Sequence, residues 1–107
     1  MAAPDGGRGL RLDQDADRSR YVLTVDGTVA GFVDYRDSDG VVWLDHAEVD
    51  PRRRGQGLGA QLVERTLQRL RREGRTVVPL CGYVVRYVRE HPEHADLLRT
   101  SRRGGRS

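Results

Sequence analysis

A glycine-rich segment, Gly55-Gln56-Gly57-Leu58-Gly59-Ala60, stands where the pattern of the sequence changes from strand-like to helix-like. The first four N–H groups of an α-helix have no partner within the helix, and the helix dipole adds about half a positive charge there. Glycines let a ligand approach those amides closely, and the preceding Arg52-Arg53-Arg54 adds charge at the rim. These residue types in this order predict a binding site for an anion such as phosphate.

Three kinds of phosphate-binding loop compete for this segment. The Walker loop ends in Gly-Lys-Ser/Thr and is excluded, because all 19 basic residues of the chain are arginines. A dinucleotide-binding loop needs G-x-G-x-x-G, whereas residues 55–60 have the pattern G-x-G-x-G-A, so this match is weak. The spacing Arg54-x-x-Gly57-x-Gly59 remains, with a second register at Arg52-x-x-Gly55-x-Gly57. A plain tight turn is the non-functional alternative.

The surrounding residues predict the elements that position this loop. The pair Asp26-Gly27 is a strong hairpin signal, Gly74 is suited to end a helix, and Pro79 indicates an edge or bulged position in a strand. The predicted order is β-β-β-α-β-α. Strands are predicted over 21–25, 28–35 and 41–49, then a helix that starts at 58 and ends at Gly74, a strand over 76–80 and a helix over 82–90. The pattern therefore predicts an α+β fold that begins with an antiparallel three-stranded meander.

The segment from Val49 to Gly59 resembles the Q/R-x-x-G-x-G/A signature of the GNAT superfamily of acyl-CoA-dependent N-acyltransferases. Residues 78–83, Tyr87, residues 91–93 and His46 are similar to its small single-domain YjdJ-type subfamily. The resemblance covers about residues 20–98. It implies a minimal GNAT-like α+β fold, in which an antiparallel three-stranded meander is followed by helix, strand and helix. It also implies acetyl-CoA as co-substrate and an amine as acceptor.

The resemblance assigns cofactor contacts to particular positions. The phosphate-binding residues would be Arg54, Gly55, Gly57, Leu58, Gly59 and Ala60. The backbones of Glu48 and Val49 would contact the pantetheine arm, and Tyr83 and Tyr87 complete the expected cofactor-binding set. The two tyrosines lie four residues apart on one face of the last helix, so either phenol could protonate the departing thiolate or simply pack.

Two further residues are candidates for the reaction centre. Cys81 follows the fourth strand, where the resemblance puts the acetyl thioester, so its thiol could form an acyl-enzyme; an inert or pocket-lining thiol is the alternative. His46 is the best single general base for neutral pH, and a structural histidine is its alternative. Regular alternation predicts that His46 shares one face of the third strand with Leu44 and Glu48.

Other titratable side chains have weaker claims. Asp45 and Glu48 are runner-up bases, and His91 and His94 are expected at the surface near a helix end. These histidines lack carboxylate partners at metal-ligand spacing, so we expect no metal.

Composition bounds the class of protein. With 107 residues, 36% of them hydrophobic and 33% charged, one small domain is expected over residues 19–98. Residues 1–18 and the Arg/Gly/Ser tail 99–107 are expected to be largely disordered. One cysteine excludes an internal disulfide, and neither a membrane-length apolar run nor an N-terminal signal is visible, so a cytoplasmic location is expected. We also expect a monomer.

Charge is distributed unevenly and leaves alternative functions open. Residues 1–50 hold 5 arginines against 11 acidic residues, whereas residues 51–107 hold 14 against 5. The basic half should attract an anion. A basic nucleic-acid-binding protein is one alternative, although the 6 aromatic residues are not interleaved with basic ones as in single-strand binders. A CoA-binding module without turnover is the other, because few residues remain to build an acceptor groove.

Overall fold

The computed structural model describes residues 9–53 and 55–98. They form five strands, two α-helices and two short 3-10 helices. The strands β1 to β5 are Leu10–Asp15, Arg20–Val25, Thr28–Ser38, Val41–Val49 and Thr76–Pro79. The helices α1 and α2 are Leu58–Arg72 and Gly82–Glu90, and the 3-10 helices are Pro51–Arg53 and Pro92–Leu97.

The strands form one sheet in chain order, β1-β2-β3-β4-β5. Pairing is antiparallel from β1 to β4, and β5 returns parallel to β4 after the crossover through α1. The predicted α+β class is confirmed, and so is the order of meander, helix, strand and helix. Two-residue turns join β2 to β3 and β3 to β4, and their residues have the positive φ that these tight hairpins require: Asp26, Gly27, Asp39 and Gly40.

The meander has one strand more than the sequence predicts. Strand β1 pairs with β2 from Leu10 opposite Val25 to Asp15 opposite Arg20, within a segment that we expected to be largely disordered. Leu10 and Leu12 pack partly buried against the core, so two apolar side chains and a full antiparallel ladder order this short strand. Residues 1–8 and 99–107, the remainder of the expected tails, lie outside the described residues.

Both helices pack on one face of the sheet around a single apolar core. The buried residues of α1 recur at helical spacing, as predicted, and Leu62, Leu67 and Leu70 have no exposed surface. They meet buried strand residues such as Leu23 and Leu44, and Val84 and Val88 of α2 join the same cluster. In the described part of the chain, no helix is both long and apolar enough to cross a membrane.

Helix α1 ends as its sequence predicts. Gly74 adopts a φ of 71°, and its N–H donates to the carbonyl of Arg71 while the N–H of Arg75 donates to that of Leu70. These two bonds form the Schellman motif, which requires a residue with positive φ just after the helix.

A β-bulge in β4 changes which side chains face the core. Asp34 pairs with His46 and Tyr35 pairs with Leu44, so Asp45 has no paired residue on β3. The extra residue shifts the alternation by one position. Leu44 and Ala47 are consequently both buried, while His46 and Glu48 face outward from the other side of the sheet.

Strands β4 and β5 separate beyond the bulge. Their pairing ends at Leu44 opposite Pro79, and the N–H groups of Leu80 and Cys81 both donate to the carbonyl of Leu44 at 3.0 Å. Strand β4 continues to Val49. Among the described residues, no strand pairs with residues 45–49 on the side where β5 pairs with residues 41–44. A gap therefore opens between the end of β4 and the start of α2.

Candidate functional site

A cleft of about 740 Å³ occupies this gap. Its walls come from the end of β4, the glycine-rich loop with the start of α1, and one face of α2. The lining residues are Ala47, Glu48, Val49, Pro51, Arg53, Gly55, Gly57, Leu58, Gly59, Ala60, Tyr83, Arg86, Tyr87 and Glu90. Nine of the ten residues expected to contact the cofactor thus surround one cavity. The tenth, Arg54, lies outside the described residues.

The glycine loop presents open backbone to the cleft. Gly55 and Gly57 have φ values of 82° and 72°, which favour glycine, and a Cβ on either would meet nothing within 4 Å. Gly57 is the N-cap of α1 and makes no side-chain cap, and the first intrahelical bond runs from the N–H of Gln61 to the carbonyl of Gly57. The amides that precede Gln61 in the helix are therefore available to an anion in the cleft.

Asp50 stabilises the approach to this loop. Its carboxylate accepts hydrogen bonds from the N–H of Arg52 at 2.9 Å and from the Arg52 guanidinium at 3.1 and 3.2 Å. These contacts lower the pKa of Asp50, the side-chain bond having the largest effect. The N–H of Asp50 donates to the carbonyl of Ala30, which ties the end of β4 to β3. The chain therefore enters the loop in a fixed direction.

Gly59 is required by the packing of α2 on α1. A Cβ built on Gly59 would lie 1.5 Å from the hydroxyl oxygen of Tyr83. Unlike Gly55 and Gly57, Gly59 does not have a positive φ, so its lack of a side chain is a matter of space. Tyr83 is 43% exposed and lies over the first turn of α1 at the edge of the cleft.

Tyr87 lines the cleft with its ring but hydrogen-bonds away from it. Its hydroxyl donates to Oε1 of Glu64 at 2.5 Å, and Glu64 is not a lining residue. Burial and this hydrogen bond both raise the pKa of Tyr87. Burial also acts to raise the pKa of Glu64, but hydrogen bonds from Tyr87, His94 and Gln68 outweigh it and lower that pKa. The phenol is thus held neutral against an ionised carboxylate.

His94 belongs to the same cluster, contrary to the expectation that it lies at the surface. It is 4% exposed, with Nε2 at 2.8 Å from Oε1 of Glu64. The 3-10 helix Pro92–Leu97 folds back onto α1 and buries this side chain, with Leu97 packed into the core. His91 is partly exposed and stacks on Tyr87 with ring centroids 4.0 Å apart. Sequence reasoning missed the pairing of Glu64 with His94, because thirty positions separate the two residues.

The two candidate catalytic residues lie beside the cleft and do not line it. Cys81 is the N-cap of α2, is partly buried against the core, and is tied to Leu44 through its N–H. His46 faces outward, with Nε2 at 2.8 Å from Oε2 of Glu48 and its side chain 54% exposed. The expectation that His46 shares a face with Leu44 was wrong because of the bulge at Asp45; the shared face with Glu48 was right.

Asp45, a runner-up base, is fully engaged. Arg36 donates to both of its carboxylate oxygens, at 2.7 and 3.0 Å. Glu48 is exposed on the outer side of β4 and is also one of the residues that line the cleft. Within residues 9–53 and 55–98, no three His, Cys, Asp or Glu side chains are arranged to hold a metal ion.

Comparison with known proteins identifies the family and supports the fold. The sequence model of the GCN5-related N-acetyltransferase family matches residues 20–97. The chain therefore belongs to this family, as its resemblance to the GNAT signature predicted. No curated protein has a sequence that matches it significantly.

Solved structures are similar to this fold over different extents. The NMR structure of a GCN5-like protein from Staphylococcus aureus superposes with a TM-score of 0.64 at 16% identity, covering 92% of this chain and 98% of that one. The ribosomal-protein-S18-alanine N-acetyltransferase from Escherichia coli gives 0.52 at 25% identity, over 70% of this chain and 43% of that one. Ard1 from Thermoplasma volcanium gives 0.50 at 28% identity, over 57% and 43%. The chain thus spans less than half the length of the last two proteins.

Proposed function

We propose that this protein transfers an acetyl group from acetyl-CoA to an amine. The observation that carries the proposal is that one cleft joins the N-terminal amides of α1 to residues 45–49 of β4, which pair with no strand on that side in the described part of the chain. In this proposal the pyrophosphate of coenzyme A binds the amides of residues 57–60, with Arg53 at the rim. The pantetheine arm runs along Glu48 and Val49 and pairs with backbone groups that no strand occupies in the described fold. Family membership supports the same assignment.

The thioester would lie where β4 and β5 separate, close to Cys81. In direct transfer, the neutral amine attacks the thioester carbonyl, a tetrahedral oxyanion forms, and the C–S bond breaks to release a thiolate that takes up a proton. The amine gives up one proton in the same sequence, so protons balance. His46, held by the Glu48 carboxylate, is the proposed base for that proton.

Transfer through Cys81 divides the reaction into two steps. The thiol first attacks the thioester, which forms an S-acetylcysteine and releases coenzyme A with the thiol proton. The amine then attacks the acetylcysteine and regenerates the free thiol. The position of Cys81 at the strand separation supports this route. A cytoplasmic location and a monomeric state stay predictions.

Thermal unfolding with and without acetyl-CoA tests the proposal. A ligand that binds only the native state stabilises it by RT ln(1 + [L]/Kd), so the Tm rises with the logarithm of the ligand concentration once that concentration exceeds Kd. We expect Gly57→Glu to abolish this rise, because it places a carboxylate beside the bound pyrophosphate. Gly27→Glu is the matched control: it adds the same charge at a glycine with similar φ and equally open surroundings, in the β2–β3 turn. It should keep the full ligand-induced rise.

The outcomes separate the three functions under consideration. No change in Tm with saturating acetyl-CoA would overturn the proposal. If the protein binds acetyl-CoA but releases no free coenzyme A with polyamines, lysine peptides or peptide N-termini as acceptors, the result would favour an acyl-CoA-binding module without turnover. Oligonucleotide binding that weakens steeply with salt, in the absence of acetyl-CoA binding, would favour the nucleic-acid alternative.

A further inference from the structure

Glu64 is a carboxylate in the middle of α1 that the proposed reaction does not use. It accepts three side-chain hydrogen bonds, from Tyr87 at 2.5 Å, from His94 at 2.8 Å and from Gln68 at 2.7 Å. Two of these donors share one oxygen, Oε1, and the third bonds Oε2. Of the three donors, only Tyr87 lines the cleft. Glu64 therefore connects the interior of the helix pair to the wall of the candidate acyl-donor site.

We propose that Glu64 is a positioning residue for acyl-donor binding, because it holds the Tyr87 ring as a wall of the cleft and keeps its hydroxyl directed away from the acyl group. This inference rests on the proposed function. It assigns to Glu64 a role that acts through Tyr87, and it assigns to Tyr87 a packing role rather than proton donation.

The surroundings of Glu64 make its position rigid. His94 is nearly fully buried, so if the carboxylate swung away it would leave Nε2 without the partner that it has at 2.8 Å. The 3-10 helix that carries His94 is itself anchored, because Arg71 donates to both carboxylate oxygens of Asp96, at 2.8 and 2.9 Å. The His91 ring stacks on the Tyr87 ring, with 4.0 Å between the two centroids. Tyr87 is thus fixed at its hydroxyl and along its ring.

The same contacts make Tyr87 a poor source of the proton for the thiolate. Its proton already lies in a hydrogen bond to a carboxylate that does not line the cleft. Burial and Glu64 together raise the pKa of the phenol, so it releases a proton less readily than a free tyrosine does. The thiolate must therefore receive its proton from another group or from water.

A double-mutant cycle on acetyl-CoA affinity tests the proposal. The Kd is measured by calorimetry for the wild type, Glu64→Ala, Tyr87→Phe and the double variant. We expect each single change to raise the Kd about tenfold, because without this charge-assisted hydrogen bond the Tyr87 ring holds its place in the cleft wall in only about a tenth of the molecules. The double variant should be no weaker than either single one, because all three lack the same bond. Glu64→Gln keeps an acceptor oxygen and should restore affinity to within about threefold.

Glu73→Ala is the matched control, since it removes a carboxylate from the end of the same helix that pairs only with Arg69 among the described residues. It should leave the Kd unchanged. If the effects of Glu64→Ala and Tyr87→Phe multiply, Glu64 acts independently of the hydroxyl and the inference is wrong.

Steady-state kinetics of Tyr87→Phe keeps the proposal testable even if Glu64→Ala does not fold. We expect KM for acetyl-CoA to rise by more than kcat falls. A hundredfold loss of kcat at unchanged KM would make the hydroxyl a proton donor and would overturn the inference. A wild-type protein that binds no acetyl-CoA refutes the proposed function and this inference together, whereas normal binding with a multiplicative cycle refutes the inference alone.

Discussion

Replacing Gly59 by alanine tests whether the contact between α1 and Tyr83 shapes the acyl-donor cleft. The added Cβ would lie 1.5 Å from the Tyr83 hydroxyl oxygen and 2.4 Å from its Cζ. Ordinary contact begins at 3.4 Å, so the end of the ring must move by about 2 Å. Tyr83 is 43% exposed and can move toward solvent or into the cleft. Either movement changes the wall next to the amides that are proposed to bind phosphate.

Gly59→Ala has two opposite effects on stability, a better helix former and a steric clash with Tyr83, and these should nearly cancel. Alanine is favoured over glycine in a helix by up to about 1 kcal/mol. Forcing a side chain into an occupied space costs about 1–3 kcal/mol, and an exposed tyrosine that can relax belongs at the low end of that range. We therefore expect the Tm of Gly59→Ala to stay within a few degrees of the wild type, while the Kd for acetyl-CoA rises about tenfold.

The assay compares Gly59→Ala in two backgrounds, with Tyr83 present and with Tyr83→Ala. Unfolding is followed by calorimetry, and affinity by titration with acetyl-CoA. Without the Tyr83 ring, the alanine should show its helix preference alone and raise the Tm by roughly 4–8 °C, with no further loss of affinity. If Gly59→Ala weakens binding equally in both backgrounds, the methyl group itself meets the ligand. If it weakens binding in neither, the steric argument is refuted.

Three further predictions concern chemistry and pH. Incubation with acetyl-CoA alone should leave one acetyl group on the Cys81 peptide, detected by mass spectrometry, and Cys81→Ala should lose most turnover. An unmodified peptide together with an active Cys81→Ala variant would instead indicate direct transfer to the amine. His46→Ala should lower kcat/KM for the amine about a hundredfold while leaving the Kd for acetyl-CoA unchanged, and a loss confined to acetyl-CoA affinity would exclude it as the base. Tyr21 is buried, and burial raises its pKa to about 12. The unfolded state therefore loses this proton at a lower pH than the folded state does. The free energy of unfolding should be unaffected by Tyr21 below pH 10 and should fall as the pH rises from 10 toward 12. Denaturant melts should show a smaller fall for Tyr21→Phe.

Local signals in the sequence were sufficient for most of the fold. The pair Asp26-Gly27 specifies a tight hairpin because only a few residue types accept positive φ at both positions. Gly74 specifies the end of α1 for the same reason, and the leucine spacing of α1 specifies its buried face. The bounds predicted for the third strand of the meander and for the last helix, 41–49 and 82–90, are those of β4 and α2.

The conformation of the glycine loop was also predictable from sequence, because it depends on the local backbone rather than on distant side chains. Positive φ at Gly55 and Gly57 and free amides at a helix start are properties of the segment itself. Gly59 is different: its need for glycine arises from Tyr83, which lies on another helix. The motif therefore combines a local requirement with a tertiary one, and the sequence shows only that all three positions are glycine.

Tertiary structure alone decided the features that depend on pairing between distant residues. The bulge at Asp45 exists only in the register between β3 and β4, and it turned His46 away from the core side. Strand β1 has weak signals of its own and is ordered by its ladder with β2. His94 and Glu64 meet because the last 3-10 helix folds back onto α1. The sequence by itself determined the features that depend on local backbone geometry and apolar periodicity. The tertiary structure decided the features in which a partner far along the chain sets the position of a side chain.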